Sequence, residues 1–310
     1  MEENRIIAYK GFDENLCCRG FQYEIGKEYE QSGEIICCEN GFHACKNPFD
    51  VLDYYSKPKN RYCVVEQSGT IKSDEEDTKQ ASSKIKIIKE INFAELFKAG
   101  IKWLNEKNGR NNRDNAQIGT SEFEAEIGTS KSYAQIGASG SYTQIGTSGN
   151  NAKIGTSGRG SRIGTSGSYT KIGTSGKYTK IGSSGNYVQI GTSGGFVRIV
   201  SSGDYAQIGT SGYLTRISSS GGYAQIGTSG ESALIESTGK SSVICCAGNN
   251  SIVKAKKGSW ITLSEWGYSL IKGTAFPVCV KTEFVDGERI KADTWYKLVN
   301  GEFVEQTINK

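Results

Sequence analysis

Histidine, proline and long apolar runs are scarce in this chain of 310 residues. The only histidine is His43, so the C-terminal part has no histidine base to activate a nucleophile. No apolar run approaches the roughly 20 residues that span a bilayer, and the N-terminus lacks the apolar core of a signal peptide. The net charge of +4 is too small to indicate a nucleic-acid partner by itself. We therefore predict no membrane contact.

The nine cysteines include the adjacent pairs Cys17–Cys18, Cys37–Cys38 and Cys245–Cys246. An odd number with adjacent pairs is typical of reduced thiols in a cytosol rather than of a disulfide framework. The cysteine pattern therefore predicts a cytoplasmic protein.

A nine-residue unit, typified by residues 172–180 (IGTSGKYTK), repeats through the middle of the chain. Isoleucine recurs every nine residues without a slip, at positions 118, 127, 136, 145, 154, 163, 172, 181, 190, 199, 208, 217, 226, 235 and 244. A fixed period of this kind is typical of a solenoid in which each repeat is one structural unit. The sequence therefore predicts a mainly β protein whose residues 111–252 form a nonapeptide-repeat β-solenoid.

The repeat also predicts which side chains face the interior. Counting from the isoleucine, position eight is always Ala, Thr, Val or Ser, and it shares a face with the next isoleucine because strand residues two apart point the same way. Positions seven (mostly aromatic) and nine (Gln, Lys or Arg) then point outward. Glycine at position five indicates a turn with φ > 0. Two repeats per coil is the preferred arrangement, and the absence of a repeating aspartate excludes calcium ladders.

Two repeats per coil would align four cations on one face. These are Arg162, Lys180, Arg198 and Arg216, flanked by Tyr178 and Phe196. Basic and aromatic side chains together can bind nucleic acid by phosphate contact and stacking, and they can equally bind an acidic protein. The alternative is that the cations keep a flat sheet soluble while the aromatic rows stiffen it. This ladder is the candidate binding surface.

The flanking segments read as separate domains. Residues 1–110 combine short β-branched strands with helical patterns, including an Asn92–Glu95 capping box, and predict a small α+β capping domain. Residues 253–310 predict a C-terminal β cap with hairpin signals at Asp286-Gly287 and Asn300-Gly301. Covered ends would prevent the edge strands of the solenoid from polymerising.

Soft metal ligands gather near the N-terminus. They are Cys17, Cys18, Cys37, Cys38, His43 and Cys45. Their number would suffice for a zinc site, but their spacing is not that of a paired C-x-x-C site. The favoured interpretation is a buried histidine among buried thiols, without metal or cofactor. The acidic run at residues 73–78 (SDEEDT) could bind a hard cation, but it lacks the spacing of a calcium loop and is read as an exposed loop.

The order Tyr9-Lys10-Gly11, Gly41-Phe-His-Ala-Cys45 and Val64-Val-Glu66 loosely resembles mono-ADP-ribosyltransferases. The resemblance implies Glu66 and His43 as catalytic candidates, with Glu66 stabilising an oxocarbenium-like transition state. Lys10 stands where that family has arginine, and Ala44-Cys45 replaces its Ser-Thr element. An enzyme carried on a solenoid spacer is thus an alternative; the preferred prediction has no catalytic residue.

A second resemblance covers nearly the whole chain. Residues 9–13 (YKGFD), 18–24 (CRGFQYE), 41–45 (GFHAC) and 258–266 (GSWITLSEW) are similar to a family of bacteriophage and prophage proteins with nonapeptide repeats. The resemblance implies a mobile-element origin and a host bacterial cytoplasm, and it implies no catalytic residues. The sequence-based hypothesis is a non-enzymatic protein that binds a host protein, such as a defence component. A virion component and a homo-oligomer remain alternatives.

Overall fold

The computed structural model describes residues 5–55, 59–73, 78–107 and 115–308. The chain divides into two compact units, Met1–Trp103 and Leu104–Lys310. The predicted boundary between residues 110 and 111, and residues 74–77 of the acidic run, lie outside the described residues. The fold is mainly β, as the sequence predicts.

The first unit is built on antiparallel strands. They are β1 (Ile6–Phe12), β2 (Cys17–Cys18), β3 (Phe21–Gln22), β4 (Glu28–Glu30), β5 (Phe42–Cys45), β6 (Arg61–Ser73) and β7 (Lys79–Ile91). Strand β1 pairs with β5 and β6, and β7 pairs with the same two strands, so these four strands close into a ring. Apolar side chains such as Ala8, Phe12, Val65 and Ile85 fill its core.

Two helices accompany these strands. Helix α1 (Val51–Tyr54) lies within the first unit, and α2 (Phe93–Lys107) begins in it and ends four residues past its boundary. The predicted capping box is confirmed: the Asn92 amide donates to Glu95 Oε2 at 2.8 Å, and the Glu95 amide donates to Asn92 Oδ1 at 2.9 Å. The Phe97 ring meets the Phe49 ring edge-on, with centroids 5.1 Å apart. The helix is therefore started by a local signal and held by aromatic packing.

The second unit is the predicted β-solenoid. Its strands are β8 (Gln117–Thr120), β9 (Glu126–Thr129), β10 (Gln135–Ala138), β11 (Gln144–Thr147), β12 (Lys153–Thr156), β13 (Arg162–Thr165), β14 (Lys171–Thr174), β15 (Lys180–Ser183), β16 (Gln189–Thr192), β17 (Arg198–Ser201), β18 (Gln207–Thr210), β19 (Arg216–Ser219), β20 (Gln225–Thr228), β21 (Leu234–Ser237), β22 (Val243–Cys246), β23 (Ile252–Lys254), β24 (Trp260–Ser269), β25 (Thr274–Phe284), β26 (Trp295–Val299) and β27 (Glu302–Gln306). Successive repeats alternate between two ten-stranded sheets. Sheet S1 runs from β8 through the even-numbered strands to β24 and then β25, and sheet S2 runs from β9 through the odd-numbered strands to β23 and then β26 and β27.

Parallel pairing with an offset of 18 residues confirms two repeats per coil. Ile154 of β12, for example, is aligned with Ile172 of β14. The predicted inward positions, one and eight, are buried except in the first repeat, where Ile118 and Ala125 are half-buried. Position three is buried too, because the strand continues through it, so the threonines expected in the turn face the interior instead. Thr179 at position eight donates to the Gly176 carbonyl at 2.8 Å, and the Gly176 amide donates to Thr174 Oγ1 at 3.2 Å.

Glycine at position five does not have the predicted positive φ. A Cβ on Gly176 would lie 2.0 Å from the carbonyl oxygen of Gly158 in the preceding coil, so the residue is glycine because two backbones approach closely. The two repeats that lack this glycine have Glu122 and Lys131, and both belong to the first coil of the described solenoid. No described coil precedes this one, so a side chain at position five meets no carbonyl group of a preceding coil there.

The positive φ falls on position seven instead, where tyrosine is the commonest residue. Tyr178 has φ of 61° and Tyr187 has φ of 56°. This conformation costs roughly 1–2 kcal/mol for an L-residue. It directs the Tyr178 amide to the carbonyl of Gly195 in the next coil, at 3.0 Å. The rings stack in parallel, with the Tyr187 and Tyr205 centroids 4.8 Å apart, and this packing offsets part of the backbone cost.

The stack extends past residue 252, where the separate C-terminal domain was expected. Strand β23 continues S2, and β24 continues S1 before turning back into β25. Strands β26 and β27 form the predicted hairpin at Asn300-Gly301, both with positive φ. Asp286-Gly287 does not join two paired strands but lies in the connection between β25 and β26, where Asp286 Oδ1 accepts from the Glu288 amide at 2.8 Å. Antiparallel hairpins therefore end both sheets.

None of the helices in the described part of the chain combines the length and apolar character needed to cross a membrane.

Candidate binding surfaces

The outer face of S1 carries two parallel rows of side chains. The amide column is formed by position nine, with Gln117, Gln135, Lys153, Lys171, Gln189, Gln207 and Gln225. The glycine column is formed by position two, with Gly119, Gly137, Gly155, Gly173, Gly191, Gly209 and Gly227. Together they line a shallow trough along the sheet. Gln189 donates to Gln207 Oε1 at 3.1 Å, so neighbouring amides of the column are already ordered.

No contact within the described residues explains the glycine column. A Cβ at any of its seven members would meet no atom within 4 Å, and none has positive φ. On S2 the same position of the repeat is glycine as far as Gly182 and then carries Val200, Ser218 and Glu236. The fold therefore accepts side chains here, although glycine weakens a strand interior and often marks a place where another backbone or ligand approaches closely. The signal for this column in the sequence is an unbroken run of glycine at position two in seven alternate repeats, from Gly119 to Gly227.

The same face becomes apolar toward its C-terminal end. After Gln225 the amide column continues with Val243 and Trp260, both about half exposed. The Trp260 ring packs on Phe284 of β25 with centroids 5.1 Å apart. At the turn between β24 and β25, Leu270 and Ile271 are 92% and 98% exposed. The trough thus leads from two lysines, over amides, to an exposed apolar end.

The predicted basic ladder forms on S2, but most of it is not open. Arg162, Lys180, Arg198 and Arg216 are aligned on successive coils, as expected. Arg162 is only 8% exposed, Lys180 and Arg198 are half-buried, and Arg216 alone is exposed. The first three also have interaction partners within the chain. The four cations are therefore aligned as predicted, but only Arg216 is well exposed to solvent.

The arrangement of the flanking aromatic residues does not favour the stacking of nucleic-acid bases on their rings. Tyr178 and Phe196 stack in parallel, with centroids 4.8 Å apart. The guanidinium of Arg159 lies 4.9 Å from the Tyr178 centroid, and the Tyr213 ring meets Phe196 edge-on. Recognition of single-stranded nucleic acid depends on aromatic faces that bases can cover. Because neighbours already cover these rings, the predicted nucleic-acid interaction lacks its stacking component here.

The first unit contains a cavity of about 420 Å³ beside β1 and β5. Its walls include Phe21, Tyr23, Tyr29 and Phe42, which meet one another edge-on with centroids 4.8–6.4 Å apart. The charged groups in its lining are Lys10, Arg19, Lys79, Glu30 and Glu39. A concave site with aromatic walls and few charges has the character of a small-molecule pocket.

Lys10 occupies a core-facing position of β1, between the fully buried Ala8 and Phe12. Its Nζ donates to the His43 carbonyl at 2.8 Å and contacts Cys18 Sγ at 3.5 Å. The ammonium also lies 5.5 Å and 5.7 Å from the ring centroids of Phe12 and Tyr23. Burial lowers the pKa of Lys10, and the adjacent Cys18 partly opposes that shift.

The side chain of His43 also lines this cavity. Its Nε2 accepts a hydrogen bond from the Cys38 amide at 2.8 Å, so the proton of the neutral ring is on Nδ1. Burial, followed by the positive charge of Lys10, lowers the pKa of His43 to about 4. The ring is therefore neutral at physiological pH and acts here as an acceptor that shapes the loop after Cys37.

The candidate metal ligands do not form one cluster. All nine cysteines are free thiols. Cys17 Sγ donates to Gln22 Oε1 at 2.9 Å, whereas Cys18 Sγ lies 2.9 Å from the Tyr55 hydroxyl. Cys18, Cys38, His43 and Cys45 line the cavity, and Cys17 and Cys37 are not part of that lining. Across the described ranges, no three side chains of His, Cys, Asp or Glu are grouped in a way that could hold a metal ion.

Glu66 is separated from His43. It lies across from Ile7 on β6, is bonded to Arg5 at 3.1 Å, and does not line the cavity. His43 belongs to β5, on the other side of β1. The structure therefore does not bring the two residues suggested by the transferase resemblance into one pocket.

Comparison with known proteins bears on the first unit alone. Residues 6–99 match the model of a domain of unknown function, DUF7666. That stretch contains the ring of strands, the cavity and Lys10. No curated protein and no solved structure matches the chain.

Proposed function

We propose that this chain is a bacteriophage-type binding protein whose solenoid docks a protein of the bacterial host along the trough of S1. The glycine column carries the proposal, because seven aligned glycines leave open a surface that the fold does not require to be open. A host defence component fits the mobile-element resemblance of the sequence. The binding is non-enzymatic, since the trough has no nucleophile paired with a base.

The chemistry of the trough favours a protein over nucleic acid. It offers two cations, Lys153 and Lys171, where a duplex or single strand would need many phosphate contacts. Amides both donate and accept hydrogen bonds, as an extended polypeptide does. Trp260, packed on Phe284, provides an apolar anchor of the kind that dominates protein interfaces. The partner segment is therefore extended and polar, acidic near the lysines and apolar near Trp260.

The size of the face is adequate for such a partner. Ten strands about 4.8 Å apart and four residues of about 3.3 Å each give a face of roughly 600 Å². With an equal area from the partner, about 1,200 Å² would be buried, which is at the lower limit of a specific interface. A reversible interaction is expected rather than an obligate one.

Filling the glycine column tests the proposal. Combining Gly173→Val, Gly191→Val and Gly209→Val should preserve the fold, because Val200 occupies the equivalent position on S2. The triple variant should bind its partner at least tenfold more weakly, since three side chains would stand in the trough. The partner would first be identified by affinity capture from nuclease-treated bacterial lysate with the wild-type chain, and its affinity for each variant then measured by calorimetry.

Ser218→Val is the matched control, because it adds the same side chain at the same repeat position on S2. It should leave the affinity unchanged. Equal binding by the wild type and the triple variant would refute the trough as the docking site. Loss of capture on nuclease treatment would instead support nucleic acid as the partner.

A further inference from the structure

The position of Lys10 is unusual for a lysine. It is 4% exposed and alternates along β1 with Ala8 and Phe12, which are wholly buried. Buried ammonium groups are normally paired with a carboxylate, because removal of a charge from water is otherwise unfavourable. No carboxylate in the described part of the chain forms a salt bridge with Lys10, whose only polar contacts are the His43 carbonyl and the Cys18 thiol.

The charges around the cavity do not supply the missing partner. Lys10, Arg19 and Lys79 give three positive charges, and Glu30 and Glu39 give two negative charges, so one positive charge remains. Glu30 is also directed to Lys84, with an Oε1–Nζ distance of 3.6 Å. The neutral His43 adds no charge. The described lining of the cavity therefore has a net positive charge that its own carboxylates do not compensate.

The walls indicate what kind of anion would fit. Phe21 is 45% exposed at the opening, and Tyr23, Tyr29 and Phe42 continue the aromatic surface inward. A volume of about 420 Å³ accepts a small organic molecule and is too small for a polymer. The Tyr55 hydroxyl, 2.9 Å from Cys18 Sγ, adds a polar group beside the ammonium.

We propose that this cavity binds a small organic anion with a planar apolar body, whose anionic oxygen pairs with Lys10 Nζ. The aromatic walls hold the apolar body, and the buried ammonium selects for negative charge. This site belongs to the segment that matches the domain of unknown function, and it is independent of the solenoid trough. The proposal therefore assigns small organic anions to that domain as its class of ligand.

The proposal implies that Lys10 serves binding at the expense of stability. Met has nearly the length of Lys without its charge, so Lys10→Met should fold and unfold at a higher temperature than the wild type. The same variant should lose affinity for the anion. A structural lysine would show the opposite pattern, because removal of its hydrogen bonds would lower the unfolding temperature.

Calorimetry of the full chain with benzoate, 4-nitrophenyl phosphate and the uncharged benzyl alcohol tests this site. The wild type should bind at least one of the two anions at least tenfold more tightly than the alcohol. Lys10→Met should lower that affinity at least tenfold, while Lys89→Met, an exposed lysine outside the cavity, should leave it unchanged. The carboxylate and the phosphate ester distinguish the two kinds of anion.

A wild-type measurement keeps the test independent of variant folding. The anion should slow the acetylation of Lys10 by acetic anhydride, followed by peptide mass spectrometry, and should leave the acetylation of Lys89 unchanged. Failure of both anions to bind the wild type, or equal binding by Lys10→Met, would overturn the proposal. Neither result would affect the docking proposed for the trough.

Discussion

Two glycines in successive repeats are under opposite physical constraints. Gly185, at position five, faces the carbonyl of Gly167, and an added Cβ would lie 2.1 Å from that oxygen. Gly191, at position two of the next repeat, would place a Cβ in open space. The first glycine is therefore required by the stacking of coils, and the second is required only if something outside the coil approaches it.

A pair of alanine substitutions separates these constraints. Gly185→Ala should lower the free energy of unfolding by about 1–3 kcal/mol, because the methyl group forces adjacent coils apart. Gly191→Ala should be neutral or should raise it by about 0.5–1 kcal/mol, since alanine restricts the unfolded chain. Urea unfolding followed by circular dichroism measures both. Equal losses of stability in the two variants would contradict the distinction.

His43 should make stability depend on pH. Its folded pKa of about 4 lies below the unfolded value of about 6.5, so the unfolded state takes up a proton first as the pH falls. The associated stability is present above pH 6.5 and is lost progressively down to about pH 4.

The variant His43→Gln isolates this effect, because a glutamine oxygen can accept the Cys38 amide without titrating. Unfolding free energies of both proteins from pH 7.5 to pH 4 should diverge below pH 6.5, with the wild type losing more. Parallel curves would show that His43 does not carry the dependence.

At the scale of elements, the hairpins are what stop the stack. Parallel strands expose unpaired backbone groups at a sheet edge, which can pair with another chain. In S1, β25 pairs antiparallel with β24. In S2, β26 pairs antiparallel with β23, and β27 pairs antiparallel with β26. Pro277 removes a backbone donor from the edge strand β25. These features make the C-terminal edge a poor template.

Removal of the hairpins should therefore cause self-association. A chain ending at residue 273 loses β25, β26 and β27, and leaves β23 and β24 as edges. We expect a larger mass by light scattering than for the full chain, increasing with concentration. A chain ending at Gln306 retains all strands and should match the full chain. A truncated chain with the mass of the intact protein would show that other features protect this edge.

A feature could be predicted from the sequence when the residues that determine it are close together in the chain. Features that depend on contacts between distant residues could not. The Asn92–Glu95 capping box was readable because both residues lie within one turn. The inward isoleucines followed from period alone. The role of Gly176 was misread, because a pattern shows recurrence without showing that a carbonyl 18 residues earlier fills the space. The core-facing place of Lys10 depends on how four strands close into a ring, which no local spacing reveals.

The whole molecule has surfaces that differ because successive repeats alternate between S1 and S2. The glycine and amide columns belong to S1, whereas Arg162 to Arg216 belong to S2, although both arise from one nonapeptide. Two distinct faces can therefore be encoded by a single repeat with small changes in every second copy. This arrangement lets the trough remain uniform while the opposite face varies.

The alternation also gives the repeat a parity. Insertion or deletion of 18 residues would lengthen or shorten the rod by one coil and leave every later side chain on its own sheet. A change of nine residues would instead transfer all later repeats to the opposite sheet, dividing the glycine column between two faces and bringing each terminal hairpin to the wrong edge. The number of repeats can therefore change without disturbing either sheet only when two repeats are gained or lost together.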